Sequence, residues 1–185
     1  MDSRIKYLQL VARIFGLYAC SLSTASATNW QQFRGPNASG VANESVPATW
    51  NIVTGENVLW EREIPGLAHA SPVIWEDRIY LATVVRSGPK PELKVGLYGE
   101  GNSYSEKDKH QWRLICLDKT SGKTLWDQLE LEAVPRVERH TKATHCNSTP
   151  ATDGSNIVAM FGSEGVFCFD MKGNERWHKD WAGRT

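Results

Sequence analysis

A repeated pattern of short apolar segments is the feature that most constrains the fold of this chain. Residues 71–83 align without gaps on residues 149–161, and residues 114–118 align on residues 166–170. In each copy a glycine-containing turn and then a tryptophan follow. Repetition of a small unit is typical of folds that stack copies of that unit side by side. The pattern therefore predicts two successive units of one design.

Each unit is predicted to contain four short antiparallel strands separated by turn residues such as glycine, asparagine and aspartate. In the first unit, residues 71–130, we expect strands at 73–75, 78–83, 112–118 and 124–130, with a long polar insertion at 84–111. In the second unit, residues 149–180, we expect strands at 150–152, 156–161, 166–170 and 175–179. Four antiparallel strands per unit is the design of a β-propeller blade, so the sequence predicts an all-β fold.

In both units, the turn between the third and fourth strands and the start of the fourth strand carry the same three residue types in the same order. These are an aspartate, a glycine and a tryptophan: Asp118, Gly122 and Trp126 in the first unit, and Asp170, Gly173 and Trp177 in the second. The segment from Leu117 to Trp126 resembles the signature of quinoprotein-type (PQQ-like) β-propeller repeats. The resemblance implies that the aspartate and glycine shape the turn and that the tryptophan packs between adjacent blades. The opening from Trp30 to Pro36 is also similar to the mature start of exported bacterial proteins of this class.

Residues 57–185 are therefore interpreted as part of a PQQ-like propeller, preceded by an irregular lead-in at 28–56. Residues 57–64 are predicted to form a strand that carries Trp60. The resemblance implies that such an N-terminal strand closes the ring by completing the last blade. Closed propellers have about four to eight blades, and two blades alone leave apolar faces open. We expect the remaining blades of a longer protein to complete the ring, or alternatively other copies of the chain.

Residues 1–27 have the features of an export signal. Arg4 and Lys6 give a positively charged start, residues 8–22 are mostly apolar, and residues 25–27 are small, as at a cleavage site. The sequence thus predicts export to the periplasm or secretion; the alternative is an amphipathic N-terminal helix that stays attached. No later segment approaches the roughly 20 apolar residues of a membrane span, so no transmembrane segment is expected.

Charge and cysteine content exclude several classes of function. The chain has 21 basic and 21 acidic residues and no basic cluster, which argues against nucleic acid as a partner. No pair of cysteines has the spacing of a structural zinc site. Cys116, Cys146 and Cys168 follow the predicted signal, and Cys116 and Cys168 hold equivalent places in the two units. We interpret these two as buried strand residues, with a disulfide as the alternative.

The predicted topology places three long segments, residues 65–70, 84–111 and 131–148, on one face. Long loops on a rigid scaffold commonly carry binding sites. We call this the long-loop face, and its candidate ligand-binding residues are His69, His140, Lys142 and His145. Histidine with lysine or arginine can hold an anion, and neutral histidine can bind a metal. The alternative is that these are ordinary loop residues that hydrogen-bond to backbone or solvent.

The sequence predicts no catalytic residue and no metal ligand set, because its carboxylates lack the spacing of an acid–base pair and no histidine–carboxylate spacing indicates a metal site. The favoured function is a non-catalytic exported binding or scaffold module that uses the long-loop face for a protein partner or a small anionic ligand. The alternative is a PQQ-dependent dehydrogenase. The resemblance implies that such enzymes bind PQQ with a metal, a catalytic aspartate and often two adjacent cysteines. Since the chain has no adjacent cysteines and no residue matching that aspartate, no cofactor is assigned.

Overall fold

The computed structural model describes residues 29–89, 93 and 103–181, so the predicted signal at 1–27 lies outside the described residues. The expectation of an all-β protein is confirmed. The described residues contain antiparallel sheets and two short 3-10 turns, at Pro36–Ala38 and Gly162–Glu164, but no α-helix. In this part of the chain no helix has the length and apolar character needed to cross a membrane.

Within the described residues, ten strands form two four-stranded sheets and a small ribbon. In chain order they are β1 (Val73–Trp75), β2 (Arg78–Arg86), β3 (Ser103–Tyr104), β4 (His110–Asp118), β5 (Thr124–Ala133), β6 (Arg139–His140), β7 (Ala151–Thr152), β8 (Asn156–Met160), β9 (Val166–Asp170) and β10 (Glu175–Lys179). The first sheet has the order β1-β2-β4-β5 and the second the order β7-β8-β9-β10. Both are simple up-and-down meanders, and β3 pairs with β6.

The hairpin of β2 and β4 extends further into the insertion than the sequence predicts. Its antiparallel ladder runs without interruption from the pair Arg78–Asp118 to the pair Arg86–His110. Since alternate residues of this hairpin face the second sheet, Val84 and Trp112 are buried at its far end. The extra length places His110 at the edge of the long-loop face.

The hydrophobic core lies between the two sheets. Residues that alternate along the strands of the first sheet contribute one half, and those of β8 and β9 contribute the other, as strand periodicity requires. The largest buried side chains of this cluster are Tyr80, Trp112, Leu114, Ile157, Phe161 and Phe169. Each sheet thus buries an apolar face against the other, and this burial stabilises both.

The lead-in joins the two sheets at their first strands. Trp30 and Ile74 exchange two backbone hydrogen bonds, of 2.8 and 2.9 Å, and the Thr152 amide donates to the Gln31 carbonyl at 2.9 Å. The described part of the lead-in after residue 33 is irregular and largely exposed. A short segment of the lead-in therefore bridges β1 and β7, which the sequence analysis did not anticipate.

Residues 57–64 do not form the predicted strand. A strand needs a hydrogen-bonded neighbour, and no other described segment forms a ladder with these residues. They are instead held by side chains, because the Trp60 indole donates to the Lys119 carbonyl at 2.9 Å and Arg62 donates to the Thr124 hydroxyl at 2.8 Å. The Trp60 ring lies directly over Gly122.

The two aspartate–glycine turns use the same chemistry. The Asp118 carboxylate accepts hydrogen bonds from the amide and hydroxyl of Ser121, at 2.7 and 2.6 Å. The Asp170 carboxylate accepts from the amides of Lys172 and Asn174, at 2.8 and 3.0 Å. The Asn174 side-chain amide also donates to Asp170, at 2.8 Å. This bond, together with the backbone bonds, lowers the pKa of Asp170, and the Ser121 bonds lower the pKa of Asp118.

Glycine is required in these turns for two reasons. Gly122 and Gly173 have φ angles of 67° and 86°, which side chains disfavour. A Cβ at Gly122 would lie 2.6 Å from the Trp60 ring, and one at Gly173 would lie 2.9 Å from the Trp126 ring. Each turn glycine is thus the surface on which a tryptophan from the preceding segment rests.

The three described cysteines are buried and carry no disulfide. The interpretation of Cys116 and Cys168 as small buried strand residues is confirmed. Burial raises the pKa of the Cys116 and Cys146 thiols to about 12, so they are protonated at neutral pH.

Candidate functional site

The three long segments of the predicted long-loop face meet in the structure. The Leu67 amide donates to the Val84 carbonyl at 2.9 Å, and the His69 amide donates to the Cys146 carbonyl at 2.8 Å. The ribbon of β3 and β6 joins the end of the insertion to the loop between the two sheets. This face therefore has a hydrogen-bonded framework on which side chains can be held in fixed positions.

A buried carboxylate, Glu106, lies at the centre of this framework. Arg139 binds it with two hydrogen bonds, from Nε to Oε2 and from Nη2 to Oε1, both at 3.0 Å. Both side chains are only 3% exposed. Arg139 also donates to the Ala143 carbonyl at 3.0 Å, and its guanidinium lies 4.8 Å from the centroid of the Tyr104 ring. A bidentate pair of this kind fixes the orientation of the carboxylate.

Two histidines face the same oxygen of Glu106. The Nε2 atom of His145 lies 3.1 Å from Oε2, and the Nε2 atom of His110 lies 3.5 Å from it. One potential ligand atom from each of these three residues lies within 4.8 Å of the other two. The two imidazole rings are nearly perpendicular, with centroids 5.1 Å apart. We call Glu106, His110 and His145 the triad.

A second ion pair neutralises the surroundings of the triad. Arg86 donates from Nε to Asp108 Oδ2 at 2.8 Å, and its Nη1 lies 3.5 Å from Glu106 Oε1. Burial would raise the pKa of Glu106, but the hydrogen bonds and charge of Arg139, with the two histidines, hold it below the usual value. Two arginines and two carboxylates thus balance each other.

The surroundings of His145 favour the neutral form of its imidazole. Burial lowers the pKa of His145 below its usual value, and the adjacent His110 acts in the same direction. The nearby Glu106 charge opposes this shift without reversing it. A neutral imidazole is the form of histidine that binds a metal ion.

Two cavities adjoin the triad. A small cavity of about 10 Å³, the size of one water molecule, is lined by Leu67, Val84, Arg86, Arg139 and the triad. A wider cleft of about 240 Å³ lies between the loop at 137–148 and the turn at 161–164. Arg139 and His145 line both. The triad is therefore next to a cleft large enough for a side chain or a small ligand.

The structure separates the four predicted ligand-binding residues. His145 belongs to the triad, and His140 is exposed and lines the cleft. The His140 ring accepts a hydrogen bond from the Lys142 amide at 3.1 Å. Lys142 and His69 line neither cavity, and His69 is exposed beside the first sheet. The four predicted residues therefore do not line one common cavity.

Sequence reasoning missed Glu106, which organises the site. The available signal was the spacing of Glu106 and His110, four residues apart at the end of the insertion. The insertion was interpreted as a polar loop because it has no periodicity. The expectation that the chain lacks a histidine–carboxylate spacing overlooked this pair. His145 is a candidate ligand-binding residue in the sequence only because it precedes a predicted first strand.

Comparison with known proteins adds no assignment to this geometry: no family model matches the chain, and no curated protein matches it.

Proposed function

We propose that this protein is a non-catalytic binding module of the PQQ-like β-propeller type that binds a protein partner through its long-loop face. The observation that carries the proposal is the cleft of about 240 Å³ between residues 137–148 and 161–164. Its walls mix polar and apolar side chains and belong to segments fixed by backbone hydrogen bonds and by the Glu106–Arg139 pair. A cleft of this size with such walls suits one protruding side chain of a partner.

The proposal is tested by filling the cleft and comparing the result with a change on the opposite face. Ala143→Trp places an indole in the cleft, whereas Ser155→Trp places one on the exposed turn between β7 and β8. Proteins cross-linked to the wild-type chain should be lost with Ala143→Trp and kept with Ser155→Trp. Loss with Ser155→Trp alone would contradict the proposal. Displacement of the partner by a small anion such as phosphate would favour the anionic-ligand alternative.

We propose further that additional four-stranded sheets stack on the second sheet. Trp60 rests on Gly122 and Trp126 rests on Gly173, whereas Trp177 is 50% exposed. A second copy of the described chain offers no free turn glycine of this kind, because both already carry a tryptophan. Trp177 would therefore pack better against a further sheet with its own aspartate–glycine turn than against a second copy. A second copy could receive Trp177 only if its residues 57–64 moved away and uncovered Gly122.

Size-exclusion chromatography with light scattering tests this arrangement. A protein with an uncovered apolar sheet face should self-associate or require further sheets for solubility. A soluble monomer of the 185-residue chain that melts cooperatively would contradict the stacking proposal. Export to the periplasm or beyond is likewise part of the proposal, and it rests on the sequence of residues 1–27 alone.

The PQQ-dependent dehydrogenase is the weaker candidate. The three described cysteines are separate, buried and protonated. The cleft of about 240 Å³ is also smaller than the roughly 300–1,000 Å³ typical of cofactor and drug-sized ligands. Neither feature fits a planar tricarboxylate quinone, so no step is assigned to it. Absorbance of the protein mixed with PQQ and calcium tests this candidate directly.

A further inference from the structure

We propose that Glu106, His110 and His145 bind a first-row divalent transition-metal ion such as Zn²⁺, with an open coordination position beside the cleft. This inference goes beyond the proposed function and does not depend on it. The three residues come from two different segments, the end of the insertion and the loop between the sheets. They converge on a cavity of about 10 Å³, which is the size of a single ion or water molecule.

The spacing of the triad fits the ion. Zinc ligands lie about 2.0–2.2 Å from the metal in a tetrahedron, which places neighbouring ligand atoms about 3.3 Å apart. The observed distances from Glu106 Oε2 are 3.1 Å to His145 Nε2 and 3.5 Å to His110 Nε2. The ligand atoms of the two histidines lie within 4.8 Å of each other, so an ion between the three atoms would also draw the two imidazole rings together. Two histidines and one carboxylate with an open position also form a well-known class of metal site.

The hydrogen bonding of His110 supports a metal ligand. Its Nδ1 atom lies 2.9 Å from the Asp108 carbonyl oxygen, which can only accept, so Nδ1 carries a proton. The other ring nitrogen, Nε2, lies 3.5 Å from Glu106 Oε2, another acceptor. Two acceptors 3.5 Å apart repel each other unless a proton or a cation lies between them. A ring nitrogen that donates to a backbone carbonyl is the usual support for a metal-binding histidine.

The carboxylate retains a lone pair for the ion. Ionised Glu106 has about four lone-pair sites, of which Arg139 uses one on each oxygen. Both histidine Nε2 atoms lie near Oε2, at 3.1 and 3.5 Å. Carboxylates that bind metals are themselves commonly held by hydrogen bonds, and Arg139 has that role here.

The charges around the triad determine what completes the coordination. Glu106 and Asp108 are already balanced by Arg86 and Arg139, so a divalent ion brings two uncompensated positive charges. Desolvated charge of this kind is costly without a counter-ion. We therefore expect hydroxide or an anionic ligand from the adjacent cleft in the open position.

Titration of the full chain with metal tests the assignment. After removal of bound metal by a chelator, Zn²⁺ should bind with one equivalent in calorimetry. Co²⁺ at the same site should give visible bands typical of tetrahedral nitrogen and oxygen ligands. No saturable binding by the wild-type chain would overturn the proposal. A cobalt–thiolate band in the near ultraviolet would also overturn it, because the ion would then lie on cysteines.

Two variants preserve the local hydrogen bonds but remove a ligand. His110→Asn keeps a donor for the Asp108 carbonyl, and His145→Gln keeps a donor for Glu106 Oε2. Each should weaken Zn²⁺ binding at least about tenfold. His140→Gln, an exposed histidine five residues from His145, is the matched control and should bind as the wild type does. Unchanged binding by both triad variants would refute the assignment.

A measurement on the wild-type protein covers the case in which a variant does not fold. X-ray absorption at the zinc edge should show scattering from two imidazole rings and light-atom ligands, without sulfur. One ring or none, or any sulfur, would contradict the triad as the site.

Discussion

The two four-stranded sheets have the same design but different surroundings. Trp126 lies beside Cys116 in the first sheet, and Trp177 lies beside Cys168 in the second, at equivalent places in the ladders. The second sheet covers Trp126, whereas Trp177 is 50% exposed. The strand repeat thus determines where each indole is placed, but only a neighbouring sheet determines whether it is buried.

The two occupied junctions also differ in their hydrogen bonds. The Trp60 indole donates to the Lys119 carbonyl, but the Trp126 indole nitrogen is buried without an acceptor. The equivalent carbonyl in the second turn, that of Met171, accepts instead from Arg78 at 2.9 Å. What the junctions share is contact between an indole face and a turn glycine. Packing rather than hydrogen bonding is therefore the repeated element.

The largest expected effect comes from removing each indole in turn. Trp126→Ala opens a cavity between the sheets and should lower the free energy of unfolding by about 3 kcal/mol or more. Trp177→Ala removes an exposed side chain and should change it by less than about 0.5 kcal/mol. Urea denaturation of both variants at one protein concentration measures the difference. If Trp177→Ala lowered the free energy of unfolding as much as Trp126→Ala, the face that carries Trp177 would be covered in solution.

Substitution of the turn glycines separates contact from backbone strain. Gly122→Ala introduces a methyl group 2.6 Å from the Trp60 ring at a φ angle of 67° and should cost about 2 kcal/mol. Gly162→Ala has a similar φ angle of 58° but nothing within 4 Å, so it should cost about 1 kcal/mol. Thermal unfolding measures both. If both substitutions lowered stability equally, the contact with the Trp60 ring would add nothing to the cost of backbone strain.

The fold was largely predictable because its signals are local and repeated. The turn residues Asp118 and Gly122 and their counterparts define where strands end, and apolar alternation defines the strands between them. The segment at 57–64 was mispredicted because pairing depends on a neighbour that its own sequence cannot reveal. The same limit applies to the extended ladder up to Arg86 and His110, which lies in a region without clear alternation.

The site was predictable only as a face. Meander topology brings the long segments together, but it does not say which side chains meet. His145 and Glu106 are 39 residues apart and are joined through the short ribbon of β3 and β6. Two-residue strands carry too little periodicity to be recognised from sequence. The burial of Glu106 could be inferred only after Arg139 was known to lie opposite.

A pH-dependent effect is expected at the junction between the two sheets. Burial raises the pKa of Glu130, on β5, to about 7, and the charge of Glu175 on β10 acts in the same direction. The buried Oε1 atom of Glu130 has no hydrogen-bond partner. Glu130→Gln should therefore stabilise the protein at pH 8 by about 1–2 kcal/mol, after allowance for partial solvent exposure.

The sign of this effect follows from proton binding. Between the ordinary carboxyl pKa of about 4.5 and the raised value of about 7, folded Glu130 holds a proton that the unfolded chain has lost. Wild-type stability therefore falls as pH rises through this range, and the advantage of Glu130→Gln grows until about pH 7. Urea midpoints from pH 4 to 8 measure it. Glu132→Gln, an exposed site on the same strand, should bring no gain, and a gain there would point to net charge instead.

The smallest effect is kinetic and concerns two equivalent cysteines. Cys116 lies between the sheets, whereas Cys168 lies beneath the uncovered face that carries Trp177. A thiol reagent reaches Cys116 only when the sheets separate, but local movement near Trp177 suffices for Cys168. Native-state alkylation followed by mass spectrometry should therefore label Cys168 at least about tenfold faster. Equal labelling rates would have two explanations: the face that carries Trp177 is covered in solution, or the two sheets separate often. Light scattering of the same sample distinguishes them, because a covered face requires association.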